Sequence, residues 1–328
     1  MTIDSEFGSG GTSLDPSRRL ALSKASVYCP ARGEDHGLPL ILKALARHRT
    51  PATFFVETLC TTQLGDAPVR QTVDAILAAG HDVQLHIHPY WLGSGAPGAL
   101  ARADRLAIDS CAGWSLGEIQ AIIEQGLEPL ARWKVQPPIA LRTGNLTVDR
   151  TVYRAMARLG INVASNIGFA CFRASDPSLH LMAGRHWIDG VLEIPVTSYV
   201  QFSLPHWKRY RLMTITAVGA GEMISLLRRA RAKGVSPIVI LTHPFEFIKG
   251  DRPGGEGCLP NRINQRRLVS LLEFLADHRD EFAPVSIAEA APRWLAGQAS
   301  QPEQIQAPLL PTLRGTLENK ANDFLRWL

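Results

Sequence analysis

The sequence has few cysteines and no long apolar run, and each absence excludes a class of protein. Its five cysteines are an odd number and include no Cys-x-x-Cys pair, which argues against a disulfide framework and favours reduced thiols in the cytoplasm. No run approaches the roughly 18 consecutive apolar residues that a membrane span requires. Residues 1–20 lack a basic segment followed by an apolar one, so they do not resemble a signal peptide and are predicted to form a flexible tail.

The charge balance is moderately basic, with a formal net charge of +5 and a pI near 9.1. Such a surface permits an anionic substrate, for example a nucleotide-linked or lipid-phosphate-linked sugar, and contact with an acidic membrane surface. A moderately basic surface without any such partner is the alternative. The basic residues at 228–233 follow a helical pattern and are expected to form a solvated helix face, so no nucleic-acid partner is predicted.

Short apolar runs alternate with helical patterns from residue 25 to residue 295, about seven times. This alternation predicts an α/β fold, a distorted (β/α)7-type barrel in a single domain over residues 21–296. Residues 297–311, rich in Gln and Pro, are predicted to form a linker. Residues 312–328 are predicted to form an amphipathic helix that packs on the barrel, on a second subunit in a homodimer, or on a membrane. The strands are predicted at 26–29, 52–56, 83 onward, 139–142, 162–164, 191–195 and 237–241.

His86 and His88 are the first candidates for a functional site. They follow the predicted third strand two residues apart, and side chains alternate faces along an extended segment, so both imidazoles point the same way. Two neutral imidazoles on one face suit zinc or another borderline divalent ion and leave room for a third protein ligand and a water. The alternative is that they are polar residues lining the mouth of the barrel.

Further polar residues follow the other predicted strands. In barrels of this type the active site lies at the carboxyl ends of the strands. A carboxylate, a histidine pair, an isolated histidine and an arginine at separate strand ends are the parts of a metal-assisted hydrolase, in which a carboxylate takes the proton of water and the isolated histidine protonates the leaving amine. The residues are Glu34, Asp35, His36, Glu57, His86, His88, Arg142, Asn145, His243 and Glu246.

Five motifs occur in a recognisable order: Pro51-Ala-Thr-Phe-Phe-Val56, Gly80-His-Asp-Val-Gln-Leu-His86, Leu141-Arg-Thr-Gly-Asn145, Leu192-Glu-Ile-Pro195 and Ile240-Leu-Thr-His243. Together they resemble the NodB-homology polysaccharide deacetylases, carbohydrate esterase family 4 in the broad sense, over about residues 25–295. The resemblance implies hydrolysis of a linear amide, the N-acetyl or N-formyl group of an amino sugar or glycoconjugate. It also implies a divalent metal, with zinc favoured, on a (β/α)7 barrel.

The resemblance implies a role for each candidate residue, with two departures from the family pattern. The family spaces its metal histidines four apart, and Tyr90 stands at the second position, so His88 is expected to substitute. The family's paired aspartates would align with Pro30 and Ala31. Glu34 and Asp35 are the nearest acids, as base and metal ligand in either order, or alternatively as acids that begin a helix. The expected set is Asp35, His86 and His88 for the metal; Glu34, Asp35, Arg142 and His243 for catalysis; and Tyr90, Trp91, Asn145 and Phe245 for the substrate.

Two other functions remain open from the sequence. The missing acidic pair suggests a non-catalytic NodB-like protein that binds a glycan or a partner. A His-x-His pair at a strand end also occurs in amidohydrolase-like and phosphoesterase-like barrels, although these carry it on the first strand, whereas here a complete βαβ unit precedes it.

Overall fold

A computed structural model describes residues 1–8, 16–95, 108–250, 257–300 and 302–324. The described strands are β1 (Thr2–Ser5), β2 (Pro30–Ala31), β3 (Glu34–Asp35), β4 (Thr53–Glu57), β5 (Asp82–Ile87), β6 (Ala140–Thr143), β7 (Val163–Ala164), β8 (His186–Ile188), β9 (Val191–Glu193), β10 (Ser198–Leu204), β11 (Trp207–Leu212), β12 (Leu241–Thr242), β13 (Ile248–Lys249) and β14 (Leu259–Pro260). The described α-helices are α1 (Pro16–Tyr28), α2 (Leu38–Arg47), α3 (Thr61–Leu64), α4 (Asp66–Ala78), α5 (Leu116–Arg132), α6 (Arg150–Arg158), α7 (Ala220–Ala232), α8 (Arg262–Asp277), α9 (Ile287–Leu295) and α10 (Leu309–Phe324).

One curled sheet of eight strands forms the centre of the molecule, in the order β12-β1-β4-β5-β6-β7-β9-β8. All neighbours are parallel except β8 and β9. Between β9 and β12, Thr197 donates its N–H to the carbonyl of Val239 (3.0 Å) and Leu241 donates to Met213 (3.0 Å). The seven parallel strands thus form the distorted (β/α)7 barrel that the sequence predicts.

The helices and buried strands follow the local rules by which they are predicted. All five residues of β4 are buried, as expected for a parallel strand covered on both faces. Ser115 begins α5 with a complete capping box to Glu118, and Ser286 accepts a hydrogen bond from Glu289 at the start of α9. These caps satisfy N–H groups that the first helical turn leaves unpaired.

The prediction of the first barrel strand was wrong. Residues 26–28 belong to α1, and the strand is β1, within the segment predicted as a flexible tail. It lies inside the sheet, where Ile3 pairs with Thr242 on one side and Phe54 on the other. Its polar residues Thr2, Asp4 and Ser5 are buried, so this central strand lacks the apolar run by which such strands are recognised.

Two hairpins were also missed. Residues 198–212, where no element is predicted, form the antiparallel pair of β10 and β11 with a register shift after Val200. Glu34 and Asp35 form β3, which pairs with β2 in a two-stranded hairpin outside the barrel sheet. The prediction of a loop or short helix near residues 92–113 falls mostly on residues 96–107, outside the described part of the chain.

The C-terminal helix α10 begins at Leu309, within the segment predicted as a linker, and is described to Phe324. It packs on its own chain, but through its polar side. The buried Thr312 donates to Glu222 of α7 (3.0 Å), and Arg267 of α8 donates to Glu318 (2.7 Å). Leu313 and Leu317, predicted to form the apolar face, are exposed instead. Over the described residues, no helix combines the length and apolarity needed to cross a membrane.

Candidate functional site

The carboxyl ends of β1, β5, β6 and β12 meet at one rim of the barrel. The parallel register places Glu57 beside His86 and His86 beside Arg142, and β1 lies beside β12, which His243 follows. Because parallel strands end at the same edge of a sheet, residues distant in sequence converge there.

Glu6, His86 and His88 form the first cluster at this rim. The Glu6 Oε1 atom lies 3.0 Å from Nε2 of His86 and 3.4 Å from Nε2 of His88. Burial alone would raise the pKa of Glu6, but hydrogen bonds to His86 and His88 and the charges of His88 and His243 lower this pKa well below its ordinary value. Glu6 is therefore ionised, the form in which a carboxylate binds a cation.

Both histidine rings are held in place by a contact of Nδ1, the ring nitrogen that does not face Glu6. A carbonyl oxygen can only accept, so His86 donates from Nδ1 to the carbonyl of Arg142 (2.8 Å), which leaves Nε2 as the nitrogen that faces Glu6. The Nδ1 atom of His88 lies 2.6 Å from a carboxylate oxygen of Asp109. The Nε2 atom of His88 is buried and faces the Glu6 carboxylate at 3.4 Å. This arrangement, with an acceptor behind each ring, is the usual support of metal-binding histidines.

The donor atoms fit a divalent metal. Two nitrogens and one carboxylate oxygen suit zinc and similar ions. Ligands about 2.0–2.1 Å from a tetrahedral zinc ion lie about 3.3 Å from one another, and the distances from Glu6 to the two histidines are 3.0 and 3.4 Å. A second group, formed by Asp4, Glu6 and His243, shares Glu6 with the first. The guanidinium of Arg142 already neutralises Asp4, so the first group is the better metal site.

Asp4 and Arg142 form a buried ion pair next to the cluster. The Arg142 Nη1 atom donates to Asp4 Oδ1 at 2.7 Å, and both side chains are buried. Arg142 is itself fixed by Ser165, whose carbonyl and hydroxyl oxygens accept from its Nε and Nη2 atoms. The second carboxylate oxygen of Asp4 lies 3.8 Å from Nε2 of His243. Asp4 is therefore held in one orientation with one oxygen directed to the site.

His243 lies across the site from the two histidines, 3.7 Å from Glu6. Its Nδ1 atom is 2.9 Å from Glu246. Burial alone would lower the pKa of the imidazole, but the hydrogen bond and charge of Glu246, together with the charges of Glu6 and Asp4, raise the pKa of His243 to about 9. His243 is thus a cation at neutral pH and can donate a proton from Nε2.

Gly144 and Glu57 shape the floor of the site. A β-carbon at Gly144 would overlap the His88 ring, which explains the glycine within the Arg-Thr-Gly-Asn motif. The buried carboxylate of Glu57 accepts from the N–H groups of Leu59 and Cys60, and burial raises its pKa. We assign Glu57 a structural role, because its oxygens already bind backbone groups.

The structure does not place Glu34 and Asp35 in the site. Both are exposed in the hairpin of β2 and β3, and neither belongs to the candidate metal-binding groups found among the described residues. Asp4 and Glu6 stand where these acids were expected. The reason is the misplaced first strand, since Asp4 lies in β1 and Glu6 directly after it, whereas the acids were expected after residues 26–29.

The four residues predicted to contact a substrate have different surroundings. The ring of Phe245 stacks on His243 at 4.8 Å, and the ring of Tyr90 meets His88 edge-on at 5.7 Å; both are half-buried. Asn145 is exposed and donates to Asp109. Trp91 is buried and is not open to a substrate in this structure. Phe245, Tyr90 and Asn145 border the site, whereas the buried ring of Trp91 packs against that of Tyr90 at 4.9 Å.

Asp109, like Asp4 and Glu6, is a site residue absent from the predicted set. It has a positive φ of 52°, and its carboxylate meets both His88 and Asn145. Its sequence context offers no strand or helix signal that would place it beside a strand end. For Asp4 and Glu6 a signal did exist, the same i, i+2 spacing that identified His86 and His88.

Among the comparisons with known proteins, the one with solved structures identifies the fold. No protein family model matches the chain, and no curated protein matches it. A structure from Mycobacterium smegmatis, provisionally named a polysaccharide deacetylase, aligns over 92% of this chain and 93% of its own with a TM-score of 0.53 and 18% identity. The chain therefore has the NodB-like carbohydrate esterase 4 fold that its motifs predict.

Two other structures align more loosely. A family 4 carbohydrate esterase from Streptomyces lividans, solved with acetate, covers 84% of this chain and 86% of its own at 12% identity, with a TM-score of 0.39. A pseudoenzyme of the same family from Bacillus anthracis covers 93% and 69% at 10% identity, with a TM-score of 0.42.

Proposed function

We propose that the protein is a metal-dependent hydrolase that removes an N-acetyl or N-formyl group from an amino sugar or another amide-bearing glycoconjugate. The observation that carries this proposal is the juxtaposition of three parts at one rim: the Glu6, His86 and His88 donors, the Asp4–Arg142 pair, and His243 with its raised pKa. The polysaccharide deacetylase name of the Mycobacterium smegmatis structure agrees with it.

Each residue has a defined task in this proposal. Glu6, His86 and His88 would hold the metal, which when bound polarises the amide carbonyl and acidifies a water. Asp4 is the general base that removes the proton of the attacking water, and Arg142 keeps its carboxylate oriented and balances its charge. His243 gives its Nε2 proton to the amide nitrogen as the C–N bond breaks, and Glu246 holds the ring in place.

The remaining assignments concern substrate, metal and compartment. Tyr90, Phe245 and Asn145 would contact the sugar from the edges of the site. Zinc is the proposed metal because the donor set is two imidazoles and one carboxylate. The basic charge favours an anionic sugar carrier, such as a phosphate-linked one. The cytoplasm is the proposed compartment, in agreement with five cysteines that are all free thiols.

Metal analysis combined with a substrate screen tests the proposal. Purified protein should contain about one divalent metal per chain, and it should release acetate or formate from at least one N-acylated sugar, free or nucleotide-linked. Two metals per chain with phosphate release would favour the phosphoesterase-like alternative. Metal-free protein that binds glycans without acid release would favour the non-catalytic alternative, whose original motivation, a missing acidic pair, no longer holds because Asp4 and Glu6 supply one.

Replacing His243 with glutamine should lower kcat for amide hydrolysis by about 10²- to 10⁴-fold, because the amine leaving group then departs without a proton. Hydrolysis of an activated aryl ester should fall far less, since a phenolate leaves unprotonated. Steady-state kinetics with both substrates, together with metal content, measure this difference. An equal loss for amide and aryl ester, with metal retained, would contradict the acid role.

Replacing Asp109 with asparagine should weaken metal binding by about 10- to 100-fold, because the carboxylate no longer supports the His88 ring. Competition against a chromophoric chelator gives the dissociation constant independently of activity. Asp74→Asn is the matched control, since Asp74 is exposed on α4 and pairs with Arg70 over 3.7 Å. Unchanged affinity in Asp109→Asn would show that Asp109 does not support the site.

A further inference from the structure

The helix α10 presents its leucines to solvent. Leu309, Leu310, Leu313 and Leu317 are all exposed, with Leu310 at 78% and Leu317 at 67%. Their spacing places them along one face, opposite the face on which Thr312 and Glu318 bind the barrel. Contiguous exposed apolar side chains of this kind mark an interaction surface.

The hairpin of β10 and β11 extends this surface. The segment before α10 pairs with β10, since Val200 donates to the carbonyl of Ile305 and Ala307 donates to the carbonyl of Val200, both at 2.9 Å. Leu204 and Trp207 near the tip of the hairpin are exposed, and together with Leu309 they border a cleft of about 290 Å³. We call Leu204, Trp207, Leu309, Leu310, Leu313 and Leu317 the leucine–tryptophan patch.

The charged side chains of the segments that form the leucine–tryptophan patch are cationic, and the two acids that flank it are paired, Glu303 with Lys233 (2.6 Å) and Glu318 with Arg267 (2.7 Å). Residues 198–212 and 304–317 contain no Asp or Glu. They carry four cationic side chains, of which Lys208, Arg209 and Arg314 are exposed and Arg211 is half-buried. Tryptophan and leucine flanked by Lys and Arg are typical of segments that insert into the interface of a bilayer and meet its anionic headgroups.

The patch belongs to the rim that carries the candidate site. Asn319 of α10 donates to the carbonyl of Ala217 (3.0 Å). Ala217 follows Thr214, which forms a parallel bridge with Leu241 of β12. Lys249, which follows the 3₁₀ turn after His243, donates to the carbonyl of Asn322 (3.1 Å). Both contacts hold α10 at the carboxyl ends of the barrel strands.

We propose that the leucine–tryptophan patch docks the protein on an anionic lipid bilayer as a peripheral membrane protein. A second copy of the chain fits less well, because a symmetric dimer through this patch would bring the same cationic side chains face to face. The excess of cationic side chains complements anionic headgroups, and the exposed leucines and tryptophan supply the apolar side chains that an interfacial anchor inserts. The proposal does not depend on the proposed hydrolase activity.

Vesicle flotation with the full chain tests the docking. Binding to vesicles of phosphatidylglycerol and phosphatidylcholine in equal parts should exceed binding to pure phosphatidylcholine about tenfold or more. The double variant Leu310→Asp, Leu317→Asp should lose at least about tenfold in partition coefficient, and Lys208→Gln should lose about fivefold, the effect of one charge near an anionic surface. Leu77→Asp, at a partly exposed leucine of α4 outside the patch, should bind like the unaltered protein.

Three results would overturn the docking proposal. One is an unaltered protein that stays with the lipid-free fraction at millimolar anionic lipid. Another is a Leu310→Asp, Leu317→Asp variant that floats as well as the unaltered protein. The third is a dimer in light scattering that this double variant converts to a monomer, because a second copy would then cover the patch. Thermal melting of all variants identifies any that lose binding by unfolding.

Discussion

Replacing Asp4 with asparagine is expected to lower kcat for amide hydrolysis by about 10²- to 10⁴-fold while the metal content stays unchanged. Asparagine cannot take the proton of the attacking water, but its amide oxygen can still accept from Arg142, which donates to Asp4 at 2.7 Å. Asp4 is not one of the three candidate metal ligands, which are Glu6, His86 and His88. The expected result is therefore an inactive protein that still binds metal, measured by kinetics and elemental analysis of the same sample.

The Asp4→Asn variant needs a stability check and a control variant, because Asp4 forms a buried ion pair with Arg142. Removing one partner of a buried ion pair lowers the free energy of unfolding by up to about 3–5 kcal/mol. The kinetics are therefore measured well below the melting temperature of the variant. Asp35→Asn makes the same chemical change at an exposed acid in the hairpin of β2 and β3, and activity should not change. A fully active Asp4→Asn, or an equal loss in Asp35→Asn, would refute the assignment of the base.

The part of the site on β5, β6 and β12 could be predicted because these strands are recognisable. Each of these strands is marked by apolar residues in the sequence. A functional side chain, His86, Arg142 or His243, lies near or directly after its carboxyl end. The order of the motifs then gave the barrel, whose seven parallel strands are confirmed. Local pattern and strand order thus carry most of the fold.

The part of the site on β1 could not be placed by the same rule. The strand has four residues, of which only Ile3 is apolar, and Asp4 and Glu6, two residues apart, face the site. The next barrel strand begins at Thr53, after α1, the hairpin of β2 and β3, and α2. An inserted helix whose residues 26–28 resemble a buried strand therefore displaced the expected acids to Glu34 and Asp35.

The orientation of α10 also lies beyond the sequence pattern. Amphipathicity predicts that the leucines face the core, yet Thr312, Glu318 and Asn319 make the contacts with the barrel. These contacts depend on Glu222 and Arg267, which lie about 50 or more residues away in sequence. Periodicity identifies the apolar face of a helix, but only the partners decide what covers it.

Replacing Glu6 with glutamine should weaken zinc binding by about a thousandfold or more, beyond the 10- to 100-fold expected for a residue that only supports a ligand. Glutamine keeps the size of the side chain but removes the anionic oxygen that lies 3.0 Å from His86 and 3.4 Å from His88. Amide hydrolysis should be lost with the metal, and excess zinc should restore it only in part. Chelator competition and acid release, measured over one zinc titration, give both quantities.

Thermal melting provides a second readout for Glu6→Gln that needs no substrate. A ligand at 100 times its dissociation constant stabilises the folded state by about 2.7 kcal/mol, so zinc should raise the melting temperature of the unaltered protein and not that of Glu6→Gln. Glu34→Gln carries the identical change at an exposed acid and should respond to zinc like the unaltered protein. If Glu6→Gln kept its zinc-dependent shift and Glu34→Gln lost it, the metal site would belong to the hairpin acid and β1 would have no role in binding it.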